Sequence, residues 1–127
     1  MAVQEPMSPE ELVTEFCARW RDAAPEQLAE YFTEDAVYHN IPMEPVAGKA
    51  AITEFLRGFI GAFGGIEFDI HHQYVSGNVV FNERTDRFTL NGKRIELPVA
   101  GVFEVADGRI AAWRDYFDMT VISNSMQ

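Results

Sequence analysis

One cysteine, Cys17, stands in a chain of 127 residues. That excludes an intrachain disulfide and any thiolate metal cluster, and it fits a reducing compartment. Cations are also scarce: ten Lys and Arg face twenty Asp and Glu, for a formal net charge of −10. A chain so poor in clustered positive charge is unsuited to nucleic acid or to an anionic membrane surface. It remains suited to a neutral small molecule. The acids are dispersed along the chain, so no acidic interaction tail is indicated. No apolar run approaches the roughly 20 residues of a membrane span. The first residues lack the basic-then-apolar order of a secretion signal, so the expectation is a soluble cytoplasmic protein. Histidines number three. Two of them, His71 and His72, are adjacent and would face opposite sides of a strand, so they cannot close on one ion. No metal and no other cofactor is expected.

What the chain does have is apolar mass. With 47% hydrophobic and 13% aromatic residues, its length predicts one domain over 1–127 with a substantial core. After a loose lead-in over 1–7, Ser8-Pro9-Glu10-Glu11 reads as a capped helix start. Leu12, Val13, Phe16, Cys17 and Trp20 follow at helical spacing. A short helix is predicted from Pro25 to Phe32, a short strand over Ala36–Ile41, and a loop over Met43–Gly48. Lys49–Phe63 repeats its apolar residues with helical period, and Gly64-Gly65 stops it. Strands are predicted at Ile66–Val75, Val79–Leu90, Lys93–Val105 and Arg109–Val121. Ser76-Gly77-Asn78, Asn91-Gly92 and Asp107-Gly108 are the turns between them. Helices first and strands last predict an α+β fold, a curved antiparallel sheet wrapped around N-terminal helices. Pro98 and Gly101 mark places where a bulge or bend would add curvature. A sheet curled over helices leaves an apolar hollow suited to a ligand.

Polar residues stand at unexpected places on three of these strands. Val80, Asn82, Arg84, Asp86, Phe88 and Leu90 share one strand face. An arginine and an aspartate among apolar neighbours are costly unless paired or used. Tyr38 and Asn40 share a face, as do Trp113, Asp115 and Phe117. Spacing alone does not show that the three strands converge. If they do, the hollow holds two carboxylates, a guanidinium, a phenol and an amide. Two neighbouring carboxylates tend to share a proton, so one can act as general acid and the other as general base. An acid, a base and a held water suit one-step hydrolytic opening of a strained neutral electrophile. Read singly, Arg84 and Asp86 fit a structural ion pair better than a catalytic one, and Tyr38 and Asn40 are more often a packed tyrosine and a turn amide.

Taken together, Tyr38-His39-Asn40-Ile41-Pro42, Glu83-Arg84-Thr85-Asp86, Gly101-Val102-Phe103-Glu104, Gly108-Arg109-Ile110 and Trp113-Arg114-Asp115-Tyr116-Phe117-Asp118 resemble the limonene-1,2-epoxide hydrolase family. That family has the nuclear-transport-factor-2-like cone fold, and the resemblance runs from about Glu11 to Asp118. It implies Asp86 as the acid that protonates an epoxide oxygen and Asp115 as the base that takes a proton from water. Arg84 would bridge the two, and Tyr38 and Asn40 would hold the water with Asp115. The apolar pocket would fall on Cys17, Trp20, Phe59, Phe68, Phe88, Leu97, Val99 and Phe117. The implied partners are a small apolar epoxide, water and a second copy of the chain. That copy would meet an outer sheet face carrying Phe81, Val102, Ala112 and Tyr116. Two rivals share the fold: an isomerase or cyclase of ketosteroid-isomerase type, and a non-catalytic ligand-binding module. An arginine between two aspartates disfavours the first, and a complete polar set disfavours the second.

Overall fold

The computed structural model describes residues 7–125, so the lead-in lies, up to residue 6, outside the described residues. Helix α1 (Pro9–Arg19) begins as its sequence predicts: the Glu11 amide donates to Ser8 Oγ and the Ser8 amide to Glu11 Oε1. It buries Leu12, Val13, Phe16 and Cys17. Helix α2 covers Pro25–Ala29 only, because Phe32 already belongs to a strand. Helix α3 (Lys49–Phe63) buries Ile52 and Leu56. None of these helices is long and apolar enough to cross a membrane.

The sheet has strands β1 (Phe32–Asn40), β2 (Val46–Ala47), β3 (Glu67–Ser76), β4 (Val79–Leu90), β5 (Lys93–Ala106) and β6 (Arg109–Tyr116). Their spatial order is β2-β1-β6-β5-β4-β3. Strands β3 to β6 form the expected antiparallel meander, and β1 lies parallel to β6. Two-residue turns fix the registers. Asn91-Gly92 and Asp107-Gly108 have positive φ at both positions, which matches the right-handed twist of the strands they join. The result is an α+β fold with a curved, unclosed sheet over helices.

Several expected boundaries move. Strand β1 starts at Phe32, not Ala36, and runs through Thr33-Glu34-Asp35. Those residues bulge out where Phe32 pairs with Ile110 and Val37 with Ala112. The loop before α3 contains β2, which pairs with Val37 and Tyr38. Strand β6 ends at Tyr116, not Val121, and a helix α4 (Met119–Ser125) follows. The Asp118 carboxylate accepts from the Thr120 amide at 2.9 Å and from its hydroxyl at 2.7 Å. A capping aspartate thus turns the chain into a helix. Pro98 and Gly101 carry no bulge against β4: the β4–β5 register is unbroken from Val79↔Glu104 to Leu90↔Lys93. The irregularities fall instead between Ile70 and His72 of β3 and between Glu104 and Val105 of β5. Pro98 sits beyond the β5–β6 ladder, which begins at Ala100↔Tyr116, where a missing N–H costs no bond to β6.

The core lies between the helices and the inner sheet face. Phe16 of α1 is fully buried and meets Phe32, Phe103 and Trp113 edge-on. Each such ring contributes about 1.5–3 kcal/mol by burial, with a further increment from edge-to-face geometry.

Candidate active site

Sheet register builds the site in rows. Across β1, β6 and β5, Tyr38 pairs with Trp113 and Trp113 with Phe103. The next row is Asn40, Asp115, Gly101 and Asn82. Arg84 follows beside Val99, and Asp86 beside Leu97 and Phe68. Side chains alternate across a strand, so Asn82, Arg84 and Asp86 all point inward, and all are buried. Three strands separated along the chain do converge.

Arg84 lies at the centre, with 0% side-chain exposure. A guanidinium has five N–H donors, and each finds an acceptor here. Nε donates to Asp86 Oδ1 at 2.9 Å and Nη2 to Asp86 Oδ2 at 2.9 Å. Nη2 also donates to Asp115 Oδ2 at 2.8 Å, and Nη1 to Asp115 Oδ1 at 3.1 Å. The last goes from Nη1 to Asn82 Oδ1 at 3.1 Å. The guanidinium also lies 4.5 Å from the Phe68 ring centroid, a cation–π contact. Burial pulls the arginine's pKa down, but Asp115 and Asp86 outweigh it and hold it well above its ordinary value. Arg84 therefore stays charged.

The two carboxylates sit in different surroundings. Burial raises the Asp86 carboxyl above the usual range, against the opposing pull of Arg84. Asp115 collects three donors, two from Arg84 and one from Trp113 Nε1 at 2.6 Å. Burial, followed by the Asp115 charge, pushes the Tyr38 phenol up, so it remains a hydroxyl. Its OH lies 3.4 Å from Asn40 Oδ1.

Beside these groups opens an apolar cleft. It spans about 480 Å³ of space, part of it open to solvent. Tyr38, Asn40, Asp86 and Asp115 reach it, and the expected Trp20, Phe59, Phe68, Phe88, Leu97, Val99 and Phe117 form its walls. Cys17 does not. Its sulfur lies behind Asn82, 4.0 Å from Nδ2, and burial pushes its thiol up to about 12. On helix α1 it faces the support of the ion cluster, one layer back from the cleft.

Sequence reasoning missed several contributors. Met43, Ile66 and Ile122 also line the cleft; Ile122 was hidden because it falls just past the strand expected to end at Val121, in a helix α4 the sequence reading did not include. Asn82 and Trp113 were placed on the right faces without a role. Gly101, read as a bend, is a gap. A Cβ there would lie 2.5 Å from Arg84 Nη1 and 2.9 Å from both Asn82 Oδ1 and Asp115 Oδ1. Only a residue without a side chain lets the guanidinium cross β5 to reach β6.

The sequence model of the limonene-1,2-epoxide hydrolase catalytic domain matches residues 7–127. The chain belongs to this family. Epoxide hydrolase EphG of Mycobacterium tuberculosis (strain ATCC 25618 / H37Rv) is 41% identical over 86 residues, which are 68% of this chain and 57% of that protein. The chain thus spans little more than half the length of this curated relative. A solved M. tuberculosis epoxide hydrolase of the limonene-1,2-epoxide hydrolase-like type superposes with a TM-score of 0.82 at 31% identity, covering 97% of this chain and 92% of that one. A protein of ketosteroid-isomerase-like fold from Catenulispora acidiphila superposes with a TM-score of 0.83 over 94% of each chain. At 20% identity that likeness speaks to the fold alone.

Proposed function

We propose that this family member is an epoxide hydrolase that adds water to an apolar epoxide in one concerted acid/base step, giving a vicinal diol. The observation that carries the reading is the buried Arg84 bridge, with Asp86 and Asp115 on its two sides at the polar end of an apolar cleft. Asp86, with its raised pKa, is the acid. Asp115 is the base, and Tyr38 and Asn40 hold the attacking water beside it.

The step balances without a covalent intermediate. The water oxygen bonds to an epoxide carbon as that carbon's bond to the ring oxygen breaks. Asp86 gives its proton to the leaving oxygen, and Asp115 takes one from water. Before the step, a protonated Asp86, an ionised Asp115 and Arg84 sum to zero charge. Afterwards the two acids have exchanged forms and the sum is still zero. Negative charge has moved only from one side of the guanidinium to the other, so no net charge is created in a low-dielectric site. Proton exchange with solvent resets the pair.

The walls supplied by Trp20, Phe59, Phe68, Phe88, Leu97, Val99 and Phe117 select an apolar substrate. We also propose a homodimer through the outer sheet face, where Phe81 and Tyr116 are 47% and 46% exposed. An isomerase of ketosteroid type needs one free base near an enolisable carbon. That role leaves no use for a second carboxylate across the guanidinium, whereas a water addition uses both.

The test is single-turnover hydrolysis of a panel of apolar epoxides in oxygen-18 water. The expected result is label in the diol at carbon and none in the protein, with turnover nearly abolished in Asp86→Asn and Asp115→Asn. Label appearing first on a protein carboxylate, or undiminished turnover in either variant, would refute the mechanism.

A further inference from the structure

Resting on the hydrolase reading, we propose that Trp113 is the positioning residue that selects which oxygen of Asp115 receives the water proton. The indole has no exposure and its plane has no freedom to turn. Tyr38 stacks on one side with centroids 4.2 Å apart and planes 7° apart. Phe103 stacks on the other at 5.2 Å and 18°. Phe16 closes from the edge at 5.1 Å. This clamp follows from register, since Tyr38, Trp113 and Phe103 are lateral neighbours on β1, β6 and β5. Nε1 is thereby aimed at Asp115 Oδ1, 2.6 Å away.

A carboxylate oxygen offers two lone pairs. On Asp115, Oδ1 spends both, one on the indole and one on Arg84 Nη1. Oδ2 spends one, on Arg84 Nη2. The accepting position left over is on Oδ2, and that is where the proton from water goes. Trp113 thus acts through Asp115 and not on the substrate. Its face also sets the Tyr38 ring, so one side chain aligns the base and one of the groups that hold the water. Without the indole N–H, Oδ1 regains an accepting position and the base loses both a donor and its fixed aim.

Trp113→Phe removes the N–H and keeps an aromatic ring in the stack. Charged and titratable groups facing Asp115 are Arg84 and Asp86 of β4, Tyr38 of β1 and Cys17 of α1. All of them remain in the variant. Loss of one charge-assisted bond is expected to lower kcat about 10-fold with KM within about twofold. It also moves the acid limb of the kcat/KM profile up by about one pH unit. Phe103→Leu disturbs the clamp but keeps the N–H, so its acid limb stays in place. Nuclear magnetic resonance of the two indole N–H groups, Trp20 and Trp113, gives a readout free of activity. In the parent, the Trp113 resonance titrates with pH, and in Asp115→Asn it does not. A parent that hydrolyses epoxides with a pH-indifferent Trp113 resonance would overturn this proposal. So would a Trp113→Phe variant with the parental acid limb. A parent that hydrolyses no epoxide would instead overturn the hydrolase reading and carry this proposal with it, whatever the resonance does.

Discussion

Gly101→Ala places one methyl group in the middle of the ion cluster, and its effect can be worked from the geometry. The new Cβ would lie 2.5 Å from Arg84 Nη1, about 0.9 Å short of the 3.4 Å at which ordinary contact begins. The end of an arginine usually swings away at little cost. Here it is held by bonds to Asp86, Asp115 and Asn82. Retreat of Nη1 breaks its bonds to Asn82 and Asp115, worth about 1.5–3 kcal/mol each because a charge is involved. Against this stands a gain of about 0.5–1 kcal/mol from replacing a strand glycine. The net expectation is destabilisation by about 2–5 kcal/mol, read as a shift in denaturant midpoint at unchanged m-value. Displacing the bridge by about 1 Å should lower kcat/KM about 100-fold. A variant that unfolds at the parental midpoint and hydrolyses within twofold of the parent would refute the idea that Gly101 is the passage for Arg84.

Two further predictions use the same measurements. Gly58→Ala, at an exposed interior position of α3 with nothing within 4 Å of the new Cβ, should stabilise by about 0.5–1 kcal/mol with parental activity; a loss of stability there refutes the helix assignment. Asp86→Asn should alter the pH dependence of stability. Because burial raises the Asp86 carboxyl, the folded state holds its proton more tightly than the unfolded chain does. The stability this brings is complete below the unfolded carboxylate value, about pH 4, and is lost as pH rises through the raised folded value. The parent should therefore lose stability relative to the variant over that rise. A difference that stays flat from pH 4 to 8 contradicts the assignment.

How much of this was legible in the sequence depends on the range of the interaction. Period-2 alternation along Val80, Asn82, Arg84, Asp86 and Phe88 correctly put the charged pair on an inward face, because strand parity is local. Asn91-Gly92 and Asp107-Gly108 correctly set two hairpins for the same reason. The parallel pairing of β1 with β6 left no local mark, since it joins residues more than seventy apart. It is also what brings Asn40 level with Asp115. Gly101 was misread because a glycine in a strand signals a bend and a close approach equally, and only the cross-strand neighbours decide between them. Helix α4 was missed because an aspartate in an aromatic strand run reads as strand until its capping bonds are seen.

The same register explains why two chemically identical acids should take different roles. Asp86 sits in a row with Leu97 and Phe68, and these apolar neighbours offer no hydrogen bond. Among the described residues its donors come from Arg84, and burial wins. Asp115 sits level with Gly101 and one inward-facing position beyond Trp113. The first is a gap through which the guanidinium arrives, and the second supplies an indole donor. The sheet therefore puts an apolar wall beside Asp86 and donors beside Asp115. On the proposed reading, that asymmetry is what suits Asp86 to the acid role and Asp115 to the base role on opposite sides of one buried cation. Its direct consequence is that the acid and base roles cannot be exchanged by swapping side chains within the cluster. The row in which each carboxylate stands, two residues apart on β4 from Arg84 or two strands away on β6, carries the distinction.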